Sequence, residues 1–265
     1  MMARAANAWR RFAALGIVLL AVACGGGGGG GATQSPPPPA ATEVRTLSLA
    51  SAHTNATYTL SIYTPPGYAA DRAMHPVIYA TDAEFQFALI PPIVEKHALD
   101  AIVVGISYIS SDRRFVDYVL PGAEAYYRFL TLELIPFIEA QYRVDRTRRT
   151  LTGFSLSGSF VAIAMFLEDP GNRYFSAVVS SDGSFWNQTV SIYELEQRMF
   201  DTSHDLPVAL FLGAADNVQS INFMNERLAA RGYRGFRLRE QFYGQGHIGM
   251  LPYSLDEGLA FAFGR

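Results

Sequence analysis

The apolar residues of this chain fall into short continuous runs separated by longer periodic segments. The runs that end near Gly, Asp or Ser are typical of strands buried on both faces, and they cover residues 77–80, 101–104 and 208–212. Between them, apolar residues recur at helical spacing in residues 123–142, 157–167 and 220–231. Strands that alternate with helices predict a mostly parallel central sheet, covered by helices on both faces, with ligands at the carboxyl ends of the strands.

The segment that begins at Glu43 has a different pattern. Residues 57–63 alternate between polar and apolar, and the Pro-Pro-Gly sequence at residues 65–67 ends the run. This alternation predicts antiparallel strands at the N-terminal edge of the sheet. The sequence therefore indicates an α/β fold, in which Pro136 is expected to kink the longest helix.

The first 23 residues have the pattern of an export signal. Three arginines precede an apolar run over residues 12–23 that is too short to cross a bilayer comfortably. The run ends at Cys24, the single cysteine of the chain, and residues 21–24 resemble the lipobox of bacterial lipoproteins. In a lipobox the cysteine is lipidated and becomes the mature N-terminus. Ordinary secretory cleavage near this point is the alternative.

Residues 24–42 predict a tether between this anchor and the folded domain. They contain seven consecutive glycines and four consecutive prolines, a composition that cannot form a core. We therefore expect a signal peptide over residues 1–23, a tether over residues 24–42 and an α/β domain over residues 43–265. The expected location is outside the cytoplasm, anchored by lipid at Cys24 to the bacterial membrane, on the periplasmic or surface face of the outer membrane.

Composition narrows the class of partner. The chain has a formal net charge of −3, and loss of the signal would remove three arginines and no acids. The mature protein would then be more acidic, which argues against a nucleic acid partner. A lone cysteine cannot form an intrachain disulfide, so the core must stabilise the domain.

Residues 150–158 contain the main chemical signal. A short run with strand character ends at Gly153 and an apolar helix begins at Ser157, so Ser155 falls on a tight strand-to-helix turn. This is the setting of a nucleophile elbow. Such a turn needs small neighbours because the helix crosses close over the strand, and Gly153, Ser157 and Gly158 meet that need. The alternative is an ordinary helix start that a serine caps.

A serine nucleophile needs a histidine base and an orienting carboxylate, in the chain order Ser, Asp or Glu, His. Asp216 follows the buried run at residues 208–212, and His247 lies in a glycine-rich loop after the strand candidate at residues 236–243. Both positions lie at the edge of the sheet that carries Ser155. We therefore predict Ser155 as nucleophile, His247 as base and Asp216 as the acid.

Each of these assignments has an alternative. Asp182, which follows the apolar residues 177–180, is a rival acid, while Asp216 could cap a turn and His247 could be a surface-loop histidine. The other histidines precede Ser155 or the last two strand candidates, and we interpret them as structural or solvent-facing: His53, His75, His97 and His204.

Other chemistries find little support in the sequence. One cysteine excludes thiolate metal clusters, and the chain has no H-E-x-x-H, no G-x-x-x-x-G-K-[ST] and no G-x-G-x-x-G after a strand. The sequence therefore predicts neither a metal nor a cofactor.

The order of several short motifs resembles the esterase family of the α/β-hydrolase superfamily. That family includes siderophore (enterobactin-type) esterases, feruloyl and acetyl-xylan esterases, and mycobacterial mycolyltransferases. The likeness runs from about residue 57 to residue 263, and its marks are residues 62–68, 76–82, 113–118, 129–138, 151–158, 184–186 and 247 before 258–259. Departures from the family pattern are Ala83, Ser157, residues 182–183 and Asn187.

The resemblance implies a serine esterase with a small-molecule ester substrate, an acyl-enzyme intermediate and no cofactor. It also implies an oxyanion hole formed by the backbone N–H groups of Leu156 and Glu84. Some relatives act with a Ser–His dyad, so the role of Asp216 stays open. Acyl transfer to a sugar hydroxyl uses the same residues, and a non-catalytic binding module on this fold is a further alternative.

The candidates for substrate binding are Arg113, Arg114, Tyr118 and Trp186. The two arginines follow the strand candidate that ends at Ser107 and resemble an arginine-rich loop of siderophore esterases, so they suit an aromatic, catechol or other anionic acyl group. Alternatively, they are solvated and pair with neighbouring aspartates. Residues 175–207 contain no long apolar segment that could form a lipase lid.

Overall fold

The computed structural model describes residues 44–265, in which eight strands form one mixed sheet. The strands are β1 Val44–Ser51, β2 Ala56–Tyr63, β3 His75–Thr81, β4 Ile102–Ile106, β5 Val144–Phe154, β6 Ala177–Ser181, β7 Ala209–Ala214 and β8 Arg237–Phe242. Their order across the sheet is β1-β2-β4-β3-β5-β6-β7-β8. The β1/β2 and β2/β4 pairs are antiparallel and the other neighbours are parallel. The predicted α/β fold with antiparallel N-terminal edge strands is confirmed.

Each of the parallel strands β3 to β8 is followed by one or more helices. They are α1 Ala83–Gln86, α2 Ile90–Lys96, α3 Ser111–Asp117, α4 Gly122–Arg128, α5 Ile135–Glu139, α6 Leu156–Leu167, α7 Thr189–Thr202, α8 Val218–Arg231, α9 Gly246–Gly249 and α10 Leu251–Ala262. None of the helices in this part of the chain is long and apolar enough to cross a membrane. The predicted signal and tether, residues 1–23 and 24–42, lie outside the described residues.

The helix predicted over residues 123–142 is divided in the structure. A π-helical turn, Phe129–Leu134, separates α4 from α5, and Pro136 lies in the first turn of α5. Proline has no backbone N–H to donate to the preceding turn, so the regular α-helical ladder cannot run through it. The π turn thus ends just before Pro136, and the kink expected at this proline stays a prediction.

The central strands of the sheet are buried on both faces. Every residue of β3, β4, β6 and β7 is buried, as expected of continuous apolar runs. One apolar cluster contains side chains of α4, α6 and α8, and a second contains side chains of α2 and α10. Because β5, β6 and β7 are parallel neighbours, their carboxyl ends lie side by side at one edge of the sheet.

The turn from β5 into α6 depends on close backbone contact. A Cβ atom added to Gly153 would lie 2.2 Å from the carbonyl oxygen of Ser157, and one added to Gly158 would lie 2.9 Å from the Cα of Gly183. Real Cβ atoms do not make such contacts, so glycine is required for α6 to cross over the strand.

Substitution Gly153→Ala should therefore lower the free energy of unfolding by about 2–3 kcal/mol, because the backbone must shift to admit the methyl group. Gly244→Ala is the matched control, since a Cβ there meets nothing within 4 Å, and its effect should stay within about 0.5 kcal/mol. Urea unfolding followed by fluorescence measures both. Equal stability of the two variants would contradict the close crossing.

Candidate active site

Ser155 lies on the turn between β5 and α6, with φ 60° and ψ −115°. Three backbone hydrogen bonds hold it in this strained conformation. Its N–H donates to the carbonyl of Ser181 (2.9 Å), and its carbonyl accepts from the N–H groups of Ser184 (2.9 Å) and Ser159 (3.2 Å). The serine is thereby fixed at the carboxyl edge of the sheet with its side chain partly exposed.

Ser157 occupies the position at which the esterase pattern has glycine. Its side chain is buried, and its hydroxyl accepts from the N–H of Phe154 (3.0 Å) and donates to the carbonyl of the same residue (3.1 Å). The departure from glycine thus supplies a hydrogen bond that closes the turn around Ser155.

His247 lies in α9, which follows β8, and joins the nucleophile to an acid. Its Nε2 is 2.9 Å from the Oγ of Ser155, and its Nδ1 is 2.5 Å from Oδ2 of Asp182. The imidazole also packs on the ring of Phe154, with 4.6 Å between the centroids. When Nδ1 donates its proton to the carboxylate, Nε2 is the acceptor for the serine hydroxyl.

Asp182 is completely buried just after β6. Its carboxylate accepts from the N–H groups of Ala215 (2.8 Å), Asn217 (3.0 Å) and Asp216 (3.2 Å) as well as from His247. Burial opposes ionisation, but the hydrogen bonds from His247, Ala215 and Asn217 outweigh it and hold the pKa of Asp182 below its ordinary value. The group is therefore a carboxylate at neutral pH.

The prediction that Asp216 is the acid that orients His247 needs correction. Its side chain is exposed, and it reaches this centre through its backbone N–H, which donates to Asp182. The loop after β7 turns so that three successive N–H groups face the Asp182 carboxylate, which leaves the Asp216 side chain outside. The rival acid, Asp182, makes the contact with His247.

The loop after β3 carries Glu84, the second predicted oxyanion donor. Asp82 adopts a left-handed conformation (φ 50°), and α1 begins directly after it. Glu84 and Leu156 both lie in the first turn of a helix, where backbone N–H groups have no partner within the helix. Each N–H is therefore available to a ligand, and the role of the pair stays a prediction.

Two buried polar contacts fix this loop. Arg114 binds the buried carboxylate of Asp82 through two hydrogen bonds, of 3.0 Å and 2.6 Å. Gln86, also buried, donates to the carbonyl of Thr81 and accepts from the hydroxyl of Thr152 (2.9 Å). These contacts tie both ends of α1 to β3, β5 and α3.

Arg113 binds groups within the protein. Its guanidinium donates to Oδ1 of Asp117 (2.8 Å) and to the carbonyl of Thr54 (2.9 Å), and the hydroxyl of Tyr58 also donates to Asp117 (2.8 Å). The alternative of solvated arginines that pair with neighbouring aspartates is confirmed only for the pairing of Arg113 with Asp117. Arg114 pairs instead with the distant Asp82, and both guanidinium groups are largely buried. Both positive charges are compensated within the protein.

Tyr118 is a core residue, which corrects its prediction as a substrate contact. It is 1% exposed and packs against the rings of Tyr126 (5.3 Å) and Phe160 (5.6 Å). Burial raises the pKa of its phenol well above the ordinary value. Without a path to solvent, it cannot reach a substrate at the surface.

Trp186 is 60% exposed, close in sequence to a residue that touches the nucleophile. The Oγ of Ser184 is 3.5 Å from the Oγ of Ser155, and the Nε1 of Trp186 donates to Oδ1 of Asn217 (2.9 Å). Asn217 in turn donates through its backbone to Asp182. Sequence reasoning did not identify Asn217, although its position directly after Asp216 at a strand end was a signal.

The described residues contain no group of three or more His, Cys, Asp or Glu side chains placed to hold a metal ion. The chemistry that this geometry can perform is proton transfer between serine and histidine, with a fixed carboxylate behind the imidazole.

Comparisons with known proteins identify the family of this chain. The model of the Esterase family matches residues 51–234. Ferri-bacillibactin esterase BesA of Bacillus subtilis is 28% identical over 262 residues, which cover 83% of this chain and 89% of that protein.

Solved structures with the same fold include two hydrolases. An IroE-like serine hydrolase from Shewanella oneidensis has a TM-score of 0.72 and 21% identity, with 82% of this chain and 79% of that chain covered. Siderophore hydrolase EstA from Aspergillus nidulans has a TM-score of 0.72 and 18% identity, with 87% and 97% covered. Because the family match spans more than half of the sequence, this chain belongs to the Esterase family.

Proposed function

We propose that this protein is a serine esterase that hydrolyses carboxylic esters through an acyl-enzyme intermediate. The observation that carries the proposal is the continuous contact from Ser155 Oγ to His247 Nε2 (2.9 Å) and from His247 Nδ1 to Asp182 Oδ2 (2.5 Å). Membership of the Esterase family supports it. We further propose that the substrates are siderophore-type or aromatic esters, since EstA is named a siderophore hydrolase and BesA a ferri-bacillibactin esterase.

In the first half of the reaction, the Oγ of Ser155 attacks the ester carbonyl carbon while its proton passes to Nε2 of His247. The negative charge that develops on the carbonyl oxygen is stabilised by the backbone N–H groups of Leu156 and Glu84. The ester C–O bond then breaks, and the imidazolium gives its proton to the leaving alcohol. Asp182 stabilises the imidazolium without taking its proton.

In the second half, a water molecule gives a proton to Nε2 and its oxygen attacks the acyl carbon. Collapse of this second tetrahedral intermediate breaks the bond to Ser155 Oγ, which recovers the proton from the imidazolium. The acid product leaves and the enzyme is restored. Acyl transfer to a sugar hydroxyl would follow the same steps with the sugar in place of water.

Substitution Ser155→Ala should lower kcat by up to about 10⁶-fold, because residues that act as one unit lose nearly the whole chemical effect together. It should also abolish labelling by a fluorophosphonate probe, which reacts only with an activated serine. Ser48→Ala, at an exposed position on β1, is the control and should keep both activities. Ester hydrolysis above a tenth of the wild-type rate in Ser155→Ala would refute the proposed function.

The contact between Asp182 and His247 generates a second expectation. Asp182→Asn should lower kcat by as much as about 10⁴-fold, because the amide favours the wrong imidazole tautomer. Asp216→Asn is the matched control: it retains the backbone donor to Asp182 and should change kcat by less than about tenfold. The reverse order of effects would restore Asp216 as the acid, and small losses in both variants would indicate a Ser–His dyad.

We also propose export and lipid anchoring at Cys24, which lies outside the described residues. The proposal is supported by the apolar run before Cys24 and the glycine-rich segment after it. In a bacterial host, the wild-type protein should incorporate labelled fatty acid and sediment with membranes, whereas Cys24→Ser should do neither. If both forms are soluble periplasmic proteins of equal mass, secretory cleavage without an anchor explains the sequence.

A further inference from the structure

A groove runs along the surface between α7 and α8, with a volume of about 660 Å³. Three large apolar side chains line it and remain exposed to solvent: Trp186 (60%), Val190 (69%) and Phe223 (55%). Tyr193 forms part of the wall and packs edge-on against Phe223, with 5.1 Å between the centroids. Apolar side chains gathered in one concave surface mark a binding site more often than scattered ones do.

Short chains of contacts connect the groove wall to the catalytic centre. Trp186 lies two residues after Ser184, whose N–H donates to the carbonyl of Ser155 (2.9 Å). The indole N–H of Trp186 is held by the side chain of Asn217, which is itself bound to Asp182. These contacts tie Trp186, one residue of the groove wall, to the residues that hold Ser155 and Asp182.

The charged residue of the groove wall that could select an anion is already paired. Nε of Arg227 is 2.5 Å from Oε2 of Glu196, a fully buried carboxylate that Arg231 also binds. Glu194, on the rim, is exposed and acidic, which disfavours an anion further. The chemistry of the groove thus suits a neutral, apolar group.

We propose that this groove binds a neutral apolar arm of the ester substrate, against Trp186 and between Val190 and Phe223. The inference rests on the proposed esterase function and assigns substrate selection to α7 and α8 rather than to the paired arginines Arg113 and Arg114. Each methylene group that leaves water in the groove should raise kcat/KM by roughly threefold to fourfold.

The test compares two series of neutral esters. In the first, the alcohol is p-nitrophenol and the acyl group is acetyl, butyryl, hexanoyl or benzoyl. In the second, the acyl group is acetyl and the alcohol is ethanol, hexanol or benzyl alcohol. Together they separate an arm on the acyl side from one on the alcohol side. In the wild type, kcat/KM should rise at least tenfold along one series.

For each series, the selectivity ratio is kcat/KM for the largest ester divided by kcat/KM for the smallest, which is the acetyl ester in the first series and the ethyl ester in the second. Val190→Asp and Phe223→Ala should each reduce this ratio by at least fivefold. The ratio is taken within one variant, so it does not depend on the fraction of folded enzyme. Val44→Asp introduces the same charge at an exposed valine of β1 (53%) and should leave the ratio unchanged. Phe223→Leu should recover most of the wild-type ratio because it restores apolar area.

Unchanged ratios in Val190→Asp and Phe223→Ala along both series, with hydrolysis intact, would overturn the groove assignment and leave the esterase function standing. A wild type that cleaves no ester and does not react with a fluorophosphonate would overturn both.

Discussion

Asp182 holds a negative charge in the interior, and the residues around it supply the hydrogen-bond donors that stabilise this charge. An unpaired buried carboxylate is destabilising by several kcal/mol, so it persists only when donors surround it. Here the donors are the imidazole of His247 and three successive backbone N–H groups, of residues 215–217. The same hydrogen bonds that offset the burial of the charge also set the path of the chain from β7 into α8 and the position of α9.

Paired buried acids recur around the site, and they decide what the surface can recognise. Asp82 is bound by Arg114, Asp117 by Arg113, and Glu196 by two further arginines of α8. Each guanidinium satisfies a carboxylate that would otherwise be costly to bury, so its charge is not available to a ligand at full strength. We therefore expect the proposed groove to select substrates mainly through its apolar side chains.

The sequence predicted the fold well because its strongest signals are local. Continuous apolar runs predict the buried strands because both faces of the sheet are covered. The small residues around Ser155 predict the elbow because the helix crosses close over the strand. The chain order also located His247 in the loop after β8, which the structure places beside Ser155.

The acid could not be chosen from the sequence. Asp182 and Asp216 both follow buried strands at the same sheet edge and both fit the order Ser, Asp, His. Which one faces the imidazole depends on how the chain turns after β7. That turn is held by the hydrogen bonds that residues 215–217 donate to the carboxylate of Asp182. Tyr118 and Arg113 were misjudged for a related reason: their motif lies at the correct edge, but α3 directs them towards the core and towards Asp117.

Asn217 connects the chemistry to the proposed substrate groove. Its backbone N–H donates to the carboxylate of Asp182 (3.0 Å), and its side-chain NH2 donates to the backbone carbonyl of Asp182 (2.7 Å). Its side-chain oxygen accepts from the indole N–H of Trp186 (2.9 Å). One amide therefore joins the acid behind the imidazole to the first surface of the groove. Binding energy from a remote arm of a substrate aids catalysis only when that arm is held in a fixed relation to the reacting atoms. Under the proposed groove assignment, the contacts of Asn217 with the carboxylate and the backbone carbonyl of the buried Asp182 supply that relation.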